Sequence, residues 1–340
     1  MLPKIGIIIV NWNGKKFLND CFNSLIDQSY KNFQIYFVDN GSTDGSVEYI
    51  EKYYPQTKII KLTKNTGFAY PNNLAFSEIQ KNPDIKYILT LNNDTKVDSF
   101  FLQTLVEIAE TNEKIGAVNP KVKFFYEKNL LDNTGIVIAK DGGGMNRGFK
   151  EKDNGQYDRE EEIFGPCAGA ALYRRSALEK SGFFDDNFFA YYEDLDLAWR
   201  LRYFGYKTIY TPNAIVQHVH SATGISHSPF KAFHVQRNRL LVIIKNYPWP
   251  LLFYSLFYLT VKRYFHLLNS AIFKKQGPSY KLKQKTGFFP LIKITLRAWA
   301  SFISLIPSSL RKRRKIPINS QMTKDWFKKY SVDLDKMIYL

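Results

Sequence analysis

Asp39 is the first carboxylate that stands where it could bind a ligand. It follows an apolar segment (34–38) and opens a turn in the stretch VDNGSTDGS (38–46). A carboxylate accepts hydrogen bonds, so in a pocket that excludes water it could bind the ring N–H of a pyrimidine such as uracil or thymine. The same residues also form an ordinary tight loop, and the turn alone leaves both interpretations open.

Asp94 follows a second apolar segment, in LTLNNDT (89–95). Carboxylate oxygen is a preferred ligand of Mg²⁺ and Mn²⁺, and a cation held at this place could bridge to a diphosphate. The alternative is an Asx turn, which requires no ligand.

Glu193 and Asp194 form an acidic pair at the predicted start of a helix, in YYEDLDLAWR (191–200). A neighbouring charge and partial burial raise the pKa of a carboxyl group, which suits a general base. Acids in a first helical turn are also expected because they offset the helix dipole. The aromatic residues just before the pair could line an acceptor pocket or belong to the core: Phe188, Phe189, Tyr191 and Tyr192.

His218 and His220 are two positions apart at the end of a predicted strand (214–219), so their side chains point to the same face. A single histidine at such a place is usually structural. Two of them near Ser221 and Thr223 could bind a metal ion or a phosphate, and His218 is the stronger candidate.

The elements that would position these residues are strands and helices in alternation. Uniformly apolar segments at 5–10, 34–38 and 87–91 predict strands buried on both faces, and 16–25 between them has helical spacing. This order predicts an α/β fold with a mostly parallel sheet flanked by helices. Ligands of such sheets bind beyond the carboxyl ends of the strands, where this chain places its polar clusters. Further predictions are a mobile loop or solvated insertion at 141–162, and helices from about 175 and over 194–204.

The positive charge is confined to one part of the chain. The formal net charge is +17 over 340 residues, but residues 227–340 alone hold 22 Lys and Arg against three acids, a net of +19, and the rest of the chain is close to neutral at −2. We therefore predict a catalytic domain at 1–246 and a basic helical region at 247–340. Cys21 and Cys167 fit neither a disulfide framework nor a zinc site, and the first apolar run is too short for a signal peptide. These features predict a cytoplasmic protein.

The basic region interleaves its charges with aromatic and aliphatic residues. Segments 249–273 and 288–306 are predicted to be amphipathic helices that lie on a membrane, and the polybasic run 311–315 would attract anionic lipid. The competing hypothesis is a non-catalytic protein that binds nucleic acid or another polyanion through this region. Long apolar stretches suit a solvated nucleic-acid face poorly, so nucleic acid is not among the predicted partners.

The motifs, taken together and in order, resemble glycosyltransferase family 2, particularly its bacterial rhamnosyltransferase-like members. The resemblance covers roughly residues 4–250. It rests on IVNWNG (9–14), VDNGSTDGS (38–46), KNTGFAYPNN (64–73), LNND (91–94), GPCAGAALYRRSAL (165–178), GFFDDNFFAYYEDLDLAWR (182–200), HVHSATG (218–224) and RNRLLVIIKN (237–246).

This resemblance implies a GT-A fold and an inverting mechanism assisted by a divalent metal, Mg²⁺ or Mn²⁺. Asp94 and His218 match metal-binding positions, and Asp194, with Glu193 beside it, matches the base that deprotonates the acceptor. The motif at 92–94 supplies one carboxylate where some relatives have two. The remaining matched residues are Asn11, Asn13, Asp39, Asn65, Gly67, Asn73, Asn93 and Arg237 for donor binding, and Gly169, Tyr192 and Trp199 for acceptor binding.

The resulting hypothesis is sugar transfer at the inner face of a cell membrane. The donor would be a dTDP- or UDP-sugar, with dTDP-rhamnose as the first choice. The acceptor would be a hydroxyl of a glycan on the cell surface or on a polyprenyl diphosphate. The basic region would attach the enzyme peripherally to the anionic membrane surface.

Overall fold

The computed structural model describes residues 2–219, 228–269 and 277–333. His220, Ser221 and Thr223 lie outside this range. The strands are β1 (Lys4–Asn11), β2 (Phe33–Asn40), β3 (Lys58–Leu62), β4 (Ile85–Leu91), β5 (Thr95–Val97), β6 (Ile115–Phe124), β7 (Leu131–Asn133), β8 (Ile136–Ile138), β9 (Gly144–Asn146), β10 (Glu161–Ile163), β11 (Ala170–Arg174) and β12 (Lys207–His218).

The helices flank the sheet in the first two thirds of the chain and dominate the remainder. They are α1 (Lys15–Ile26), α2 (Ser46–Tyr53), α3 (Ala69–Gln80), α4 (Phe101–Glu110), α5 (Arg175–Ser181), α6 (Glu193–Tyr203), α7 (Pro229–Asn246), α8 (Trp249–Phe253), α9 (Thr260–Asn269), α10 (Gly277–Thr286), α11 (Phe288–Arg313) and α12 (Ser320–Tyr330). A 3-10 turn covers Asp186–Phe188, and a π-helical segment (Tyr254–Leu259) joins α8 to α9.

The central sheet has the strand order β10-β12-β6-β11-β4-β1-β2-β3. Strands β4, β1, β2 and β3 are parallel to one another, as are β6 and β12. β1 is uniformly apolar because both of its faces are covered: Ile5, Ile7 and Ile9 enter one core and Ile8 enters the other. The predicted strands at 5–10, 34–38 and 87–91 therefore all lie in the parallel half of the sheet.

Strand β11 runs antiparallel to both of its neighbours, β4 and β6. Ala170, the first residue of β11, pairs with Leu91, the last residue of β4. The segment just before β11 therefore lies at the same edge of the sheet as the residues that follow β1, β2 and β4. This reversal adds the 165–169 segment to the polar edge.

Two segments differ from the prediction in detail. The strand predicted at 214–219 begins at Lys207, because β12 pairs along almost the whole of β6. Segment 141–162 contains β9, which pairs with β8, and part of β10, which pairs with β12, so this segment is tied to the domain by short strands. Gly142, at φ +85, allows the backbone there to approach Ile243 of α7 closely.

The basic region is helical, as predicted, and its inner side packs on the preceding domain. One hydrophobic cluster joins Trp199 and Tyr203 of α6 to residues of α7, to Phe302 of α11 and to Phe327 of α12. The boundary predicted at 246/247 thus runs through a shared core. Within the described residues, α11 is the one helix long and apolar enough, by length and composition alone, to cross a membrane.

Candidate active site

Asp39 lies at the carboxyl end of β2, directly opposite Asn11 at the end of β1. The carboxamide of Asn11 donates to Asp39 Oδ1 at 3.3 Å and to Ser42 Oγ at 3.1 Å, and the backbone N–H of Ser42 donates to Asp39 Oδ2 at 2.9 Å. Asp39 is buried. These bonds hold an acceptor carboxylate in a fixed orientation at the edge of the sheet, where it could select a base N–H.

Asn13 connects the loop after β1 to the loop after β2. Its backbone N–H donates to Ser42 Oγ at 2.9 Å, and its side-chain oxygen accepts the N–H of Thr43 at 2.8 Å. Asn13 has φ +50, a left-handed conformation that asparagine tolerates better than most residues. An open depression of about 550 Å³ lies beside it, lined by Lys15 and Asp44 among others.

Asn93 fixes the end of β4 against the end of β1. Its carboxamide is buried and donates to the side-chain oxygen of Asn11 at 2.6 Å. A Cβ on Gly14 would overlap the Asn93 and Asn11 side chains, so a larger residue here would displace this hydrogen-bonded pair. Asn93 therefore aligns two strand ends rather than presenting itself openly to a ligand.

Asp94 and His218 meet because β12 pairs with β5, which sets His218 opposite Thr95. His218 Nε2 lies 3.1 Å from Asp94 Oδ1, and its Nδ1 lies 2.6 Å from Asp132 Oδ2. Burial lowers the pKa of His218, but the hydrogen bonds with Asp132 and Asp94 outweigh it and raise the pKa to about 10. Asp132 comes from the short strand β7 and was not predicted as a site residue.

The Asp94–His218 pair could occupy two positions around one divalent cation only if the cation replaces the proton that His218 Nε2 directs at Asp94. Ligand atoms in an octahedral shell about 2.1 Å from Mg²⁺ lie about 3 Å from each other, close to the separation seen here. Within residues 2–219, 228–269 and 277–333, no group of three or more His, Cys, Asp or Glu side chains is arranged to hold a metal ion. A cation bound by this pair would need its remaining ligands from elsewhere, and a diphosphate has the required oxygens.

The acidic pair starts α6, as predicted. Asp194 Oδ2 accepts the backbone N–H of Ala168 at 3.3 Å, and Oδ1 accepts the N–H of Leu195 at 2.8 Å. Burial raises the pKa of Asp194. Glu193 is more deeply buried, and burial together with the Asp194 charge raises its pKa well above the usual range. A carboxylate with raised proton affinity at this edge can accept a proton from a hydroxyl.

The backbone just before this pair is strained. Phe189, Tyr191 and Tyr192 have φ values of +63, +69 and +72, which bulky residues rarely adopt. Asn238 of α7 compensates, because its Nδ2 donates to the carbonyls of Phe188, Ala190 and Tyr191 at 2.9, 2.9 and 2.6 Å. Apart from its place in the RNRLLVIIKN motif, Asn238 was not predicted to have this role.

Arg237, predicted to bind the donor, lies next to Asn238 and supports the same loop. Its guanidinium donates to the carbonyls of Asn187 and Phe188 at 2.9 and 2.8 Å. Burial lowers its pKa to about 10. No carboxylate in the described part of the chain forms an ion pair with it. The contacts seen are structural, and donor binding by Arg237 stays a prediction.

The loop at 64–69 contacts this strained segment from the other side. The N–H groups of Phe68 and Ala69 both donate to the carbonyl of Phe189, at 2.5 and 3.1 Å. Gly67 has φ +89, and a Cβ there would overlap the Phe189 carbonyl oxygen. Asn65 shapes the turn by accepting the N–H of Gly67 at 2.9 Å. The loop at 64–69 is thus bonded directly to the segment that precedes Glu193.

Asn73, also predicted to bind the donor, is hydrogen-bonded to the segment at 184–186. Its side chain accepts the N–H of Phe184 at 3.1 Å and donates to the Phe184 carbonyl at 2.8 Å and to Asp186 at 2.7 Å. These bonds fasten α3 to the segment that leads to the acidic pair. The observed contacts are those of a positioning residue.

The three predicted acceptor residues lie in different environments. Gly169 is at the site, since its carbonyl accepts the N–H of Asn92 at 2.8 Å. The Tyr192 hydroxyl accepts the N–H of Gly144 at 3.5 Å, beside the acidic pair. Trp199 is 0% exposed and packs against Phe164 and Tyr247 in the shared core. The structure does not bring Trp199 to the site, because its place on α6 faces the C-terminal helices.

Two of the solved structures similar to this fold are glycosyltransferases. GalNAc-T7 with UDP, GalNAc and Mn²⁺ matches with a TM-score of 0.58 at 15% sequence identity, over 72% of this chain and 48% of that chain. The mannosyltransferase PcManGT from Pyrobaculum calidifontis, in complex with GDP-Man and Mn²⁺, matches with a TM-score of 0.53 at 16% identity, over 91% of this chain and 88% of that chain. The fold is therefore of the GT-A type, which confirms the predicted fold class.

The chain belongs to Glycosyl transferase family 2, whose family model matches residues 6–182. The O-antigen biosynthesis protein RfbC of Myxococcus xanthus is 26% identical over 231 residues, which are 65% of this chain and 18% of that protein. The N-acetylglucosaminyl-diphospho-decaprenol L-rhamnosyltransferase of Mycobacterium tuberculosis (strain CDC 1551 / Oshkosh) is 22% identical over 275 residues, which are 73% of this chain and 87% of that protein.

A third relative, the poly-β-1,6-N-acetyl-D-glucosamine synthase of Staphylococcus epidermidis, is 24% identical over 62% of this chain and 48% of that protein. The chain therefore spans less than half the length of RfbC and of this synthase. The family membership and the rhamnosyltransferase among the relatives confirm the predicted resemblance.

Proposed function

We propose that this chain is an inverting glycosyltransferase that moves a sugar from a dTDP- or UDP-sugar to a hydroxyl of a lipid-linked or cell-surface glycan. One observation carries the proposal: an unbroken series of hydrogen bonds and neighbouring residues joins the predicted base-binding acid to the predicted catalytic acid along one edge of the sheet. Its members, in order, are Asp39, Asn11, Asn93, Asn92, Gly169, Ala168 and Asp194.

Three groups of residues along this edge would have separate roles. Asp39 would accept the N3–H of uracil or thymine and so favour pyrimidine nucleotides. Asp94 and His218 would hold a Mg²⁺ or Mn²⁺ ion, whose charge stabilises the departing nucleoside diphosphate. Asp194 would take the proton of the acceptor hydroxyl as that oxygen attacks the anomeric carbon. Burial, which disfavours the charged form, raises the proton affinity of Asp194.

Rhamnose is the first candidate for the transferred sugar, and a polyprenyl diphosphate is the first candidate for the acceptor carrier. Both choices are supported by the mycobacterial relative, whose name describes rhamnosyl transfer to a diphospho-decaprenol. The basic region supports a place at the inner face of a bacterial cell membrane, in the synthesis of a cell-wall or surface polysaccharide. A purely polyanion-binding role would leave the polar edge without a purpose.

A thermal-shift panel of UDP-, dTDP- and GDP-sugars, with and without Mn²⁺, tests the donor site. We expect a pyrimidine donor at a hundredfold excess over its Kd to raise the Tm of the wild-type chain by about 5 °C. Asp39→Ala should lose this shift. Asp194→Asn should keep it and lower kcat about 100-fold or more, since it removes only the base.

The outcomes against the proposal are equally definite. Equal shifts with purine and pyrimidine donors would remove the assigned role of Asp39. Full turnover by Asp194→Asn would remove the assigned base. The sugar itself is tested by comparing kcat/KM for dTDP-rhamnose with that for UDP-glucose on a polyprenyl-diphosphate-linked acceptor.

A further inference from the structure

The segment from α8 to α9 exposes a continuous row of large apolar side chains. They recur every three or four residues and are 46% to 67% exposed, although each is aromatic or aliphatic. We call this row the aromatic stripe; it consists of Trp249, Phe253, Phe257, Val261, Phe265 and Leu268. A contiguous apolar surface of this kind marks an interaction site.

The stripe is ordered by stacking of its rings. Trp249 and Phe253 lie 6.0 Å apart at an interplanar angle of 26°, and Phe253 and Phe257 lie 6.3 Å apart at 12°. A second exposed pair, Tyr254 and Tyr258, stacks beside them at 5.2 Å. The rings therefore form a regular outer surface.

The opposite side of the same segment is fixed to the catalytic domain. Ser255 is fully buried and donates to the carbonyl of Lys140 at 2.5 Å. Arg263 of α9 pairs with the buried Asp141 at 2.7 Å. These contacts fix the rotation of the helical segment about its axis. The aromatic stripe therefore faces away from the catalytic domain.

Helix α11 runs antiparallel beside this segment. The guanidinium of Arg313 lies 4.5 Å from the Trp249 ring, and the indole N–H of Trp299 donates to the Tyr264 hydroxyl at 3.1 Å. Trp299 and Arg313 are about 21 Å apart along α11, and their partners Tyr264 and Trp249 are about equally far apart along the neighbouring segment. The two contacts are therefore consistent with helices that lie side by side. The outer side of α11 adds further exposed apolar residues: Phe289, Ile292, Leu296 and Ile303.

Exposed basic residues border the aromatic stripe and the outer side of α11. Lys262 lies within the stripe segment, Lys293 lies on α11, and Arg311, Arg314 and Lys315 lie near the end of α11 that adjoins Trp249. Asp325 and Asp333 are the acids among residues 247–333, and neither lies on α8, α9 or α11. Aromatic residues flanked by bases match the headgroup region of an anionic bilayer, which takes up rings and attracts positive charge.

We propose that the aromatic stripe and the outer side of α11 form one docking face that lies in the headgroup region of an anionic lipid bilayer. This inference deepens the proposed function and rests on it only for the nature of the acceptor. Helix α11 lies along the surface rather than crossing the bilayer, because its inner residues Ile294, Ala298 and Phe302 are buried and Lys312 pairs with Asp185. A lipid-linked acceptor would then reach the site by lateral diffusion.

The test uses the full chain and sedimentation with vesicles. We expect binding to phosphatidylcholine vesicles that contain about 30% phosphatidylglycerol, and weaker binding at high salt. Phe253→Ser combined with Phe257→Ser and Phe265→Ser should reduce the affinity about tenfold or more, because it removes the apolar contact. Lys262→Gln with Lys293→Gln and Arg311→Gln should reduce the salt dependence, because it removes three of the exposed bases.

The matched control changes exposed apolar residues outside the docking face. Ile26→Ser with Tyr53→Ser and Phe100→Ser should bind vesicles like the wild-type chain. An unchanged Tm and an unchanged donor-induced shift would show that the stripe variant is folded. If the donor shift is lost while vesicles still bind, the proposed function fails alone; if vesicles are ignored while the donor shift persists, the docking face fails alone.

Two further outcomes would overturn the inference. The first is retention of the chain in membranes after alkaline carbonate washing, which would mean that a helix crosses the bilayer. The second is a dimer in lipid-free solution that the stripe substitutions convert to a monomer, which would identify a second copy of the chain as the occupant.

Discussion

Glu193 is a buried carboxyl group whose ionisation the site disfavours. Its Oε2 has no hydrogen-bond partner in the described part of the chain, and the adjacent Asp194 repels it. Burial and this repulsion raise its pKa well above the usual range, so the folded protein binds a proton there more tightly than the unfolded chain does. The buried acid therefore has a local cost to stability at pH values where it would otherwise ionise.

Glu193→Gln should therefore stabilise the protein at neutral pH. Because the folded pKa is raised, wild-type stability is complete below the ordinary glutamate pKa of about 4.3 and declines as the pH rises through the folded value. The variant lacks this decline, so we expect a gain of about 1 kcal/mol at pH 8 that shrinks towards pH 4. Denaturant unfolding at both pH values measures it. The exposed Glu113→Gln is the control, and a constant difference across pH would contradict the argument.

Single residues could be predicted from the sequence where a strand end marks them. Asp39 and Asp94 each follow an apolar segment, and Asp194 opens a helix after an aromatic run. Asp132 could not be predicted, because β7 has only three residues and no recognisable pattern. Its contact with His218 depends on the pairing of β12 with β6 and of β6 with β7, which is a tertiary property.

At the scale of elements, α7 organises the approach to the acidic pair. Asn238 and Arg237 together bind the backbone from Asn187 to Tyr191, a segment that holds unfavourable φ values. The apolar pattern of the strands predicted the parallel half of the sheet. That pattern could not predict the shape of the loop at 187–191, because side chains of α7, which is distant in sequence, hold its backbone in place.

Asn238→Ala tests this role. The change removes the Asn238 hydrogen bonds to the Phe188, Ala190 and Tyr191 carbonyls, so the strained backbone should relax and misplace Asp194. We expect kcat to fall about tenfold or more, with the donor KM little changed, and stability to fall by about 1–3 kcal/mol. Steady-state kinetics and Tm measure both effects. Asn213→Ala, at an exposed position, should change neither; an equal loss in donor affinity would indicate a general packing defect instead.

At the scale of the whole molecule, the basic region and the catalytic domain share one core. Asp185, which precedes the strained loop, is bonded by Lys245 of α7 and Lys312 of α11, both at 2.5 Å. Charge composition separated the two parts because bases line the outer side of the C-terminal helices. The inner side of these helices is apolar and joins the α6 cluster, a fact that composition does not reveal.

Lys312→Met should weaken the packing of α11 on the catalytic domain. Burial would raise the pKa of Asp185, but Lys245 and Lys312 outweigh it and hold that pKa well below the usual range. The carboxylate therefore adds stability above about pH 4, which is lost as the pH falls towards the folded pKa. We expect a loss of about 1 kcal/mol at pH 7 and a smaller one at pH 3, measured by Tm. The exposed Lys324→Met serves as control, and an unchanged Tm at pH 7 would refute the contribution.

The Phe189 carbonyl has a consequence for the order of events in the reaction. It accepts hydrogen bonds from the loop that would cover the nucleotide and belongs to the segment that would receive the acceptor. This oxygen thus links the two predicted substrate sites. If binding of the donor changes the affinity for the acceptor, binding of the acceptor must change the affinity for the donor by the same factor. The enzyme would then treat its substrates as a coupled pair, with an occupied nucleotide pocket preparing the place where the sugar is received.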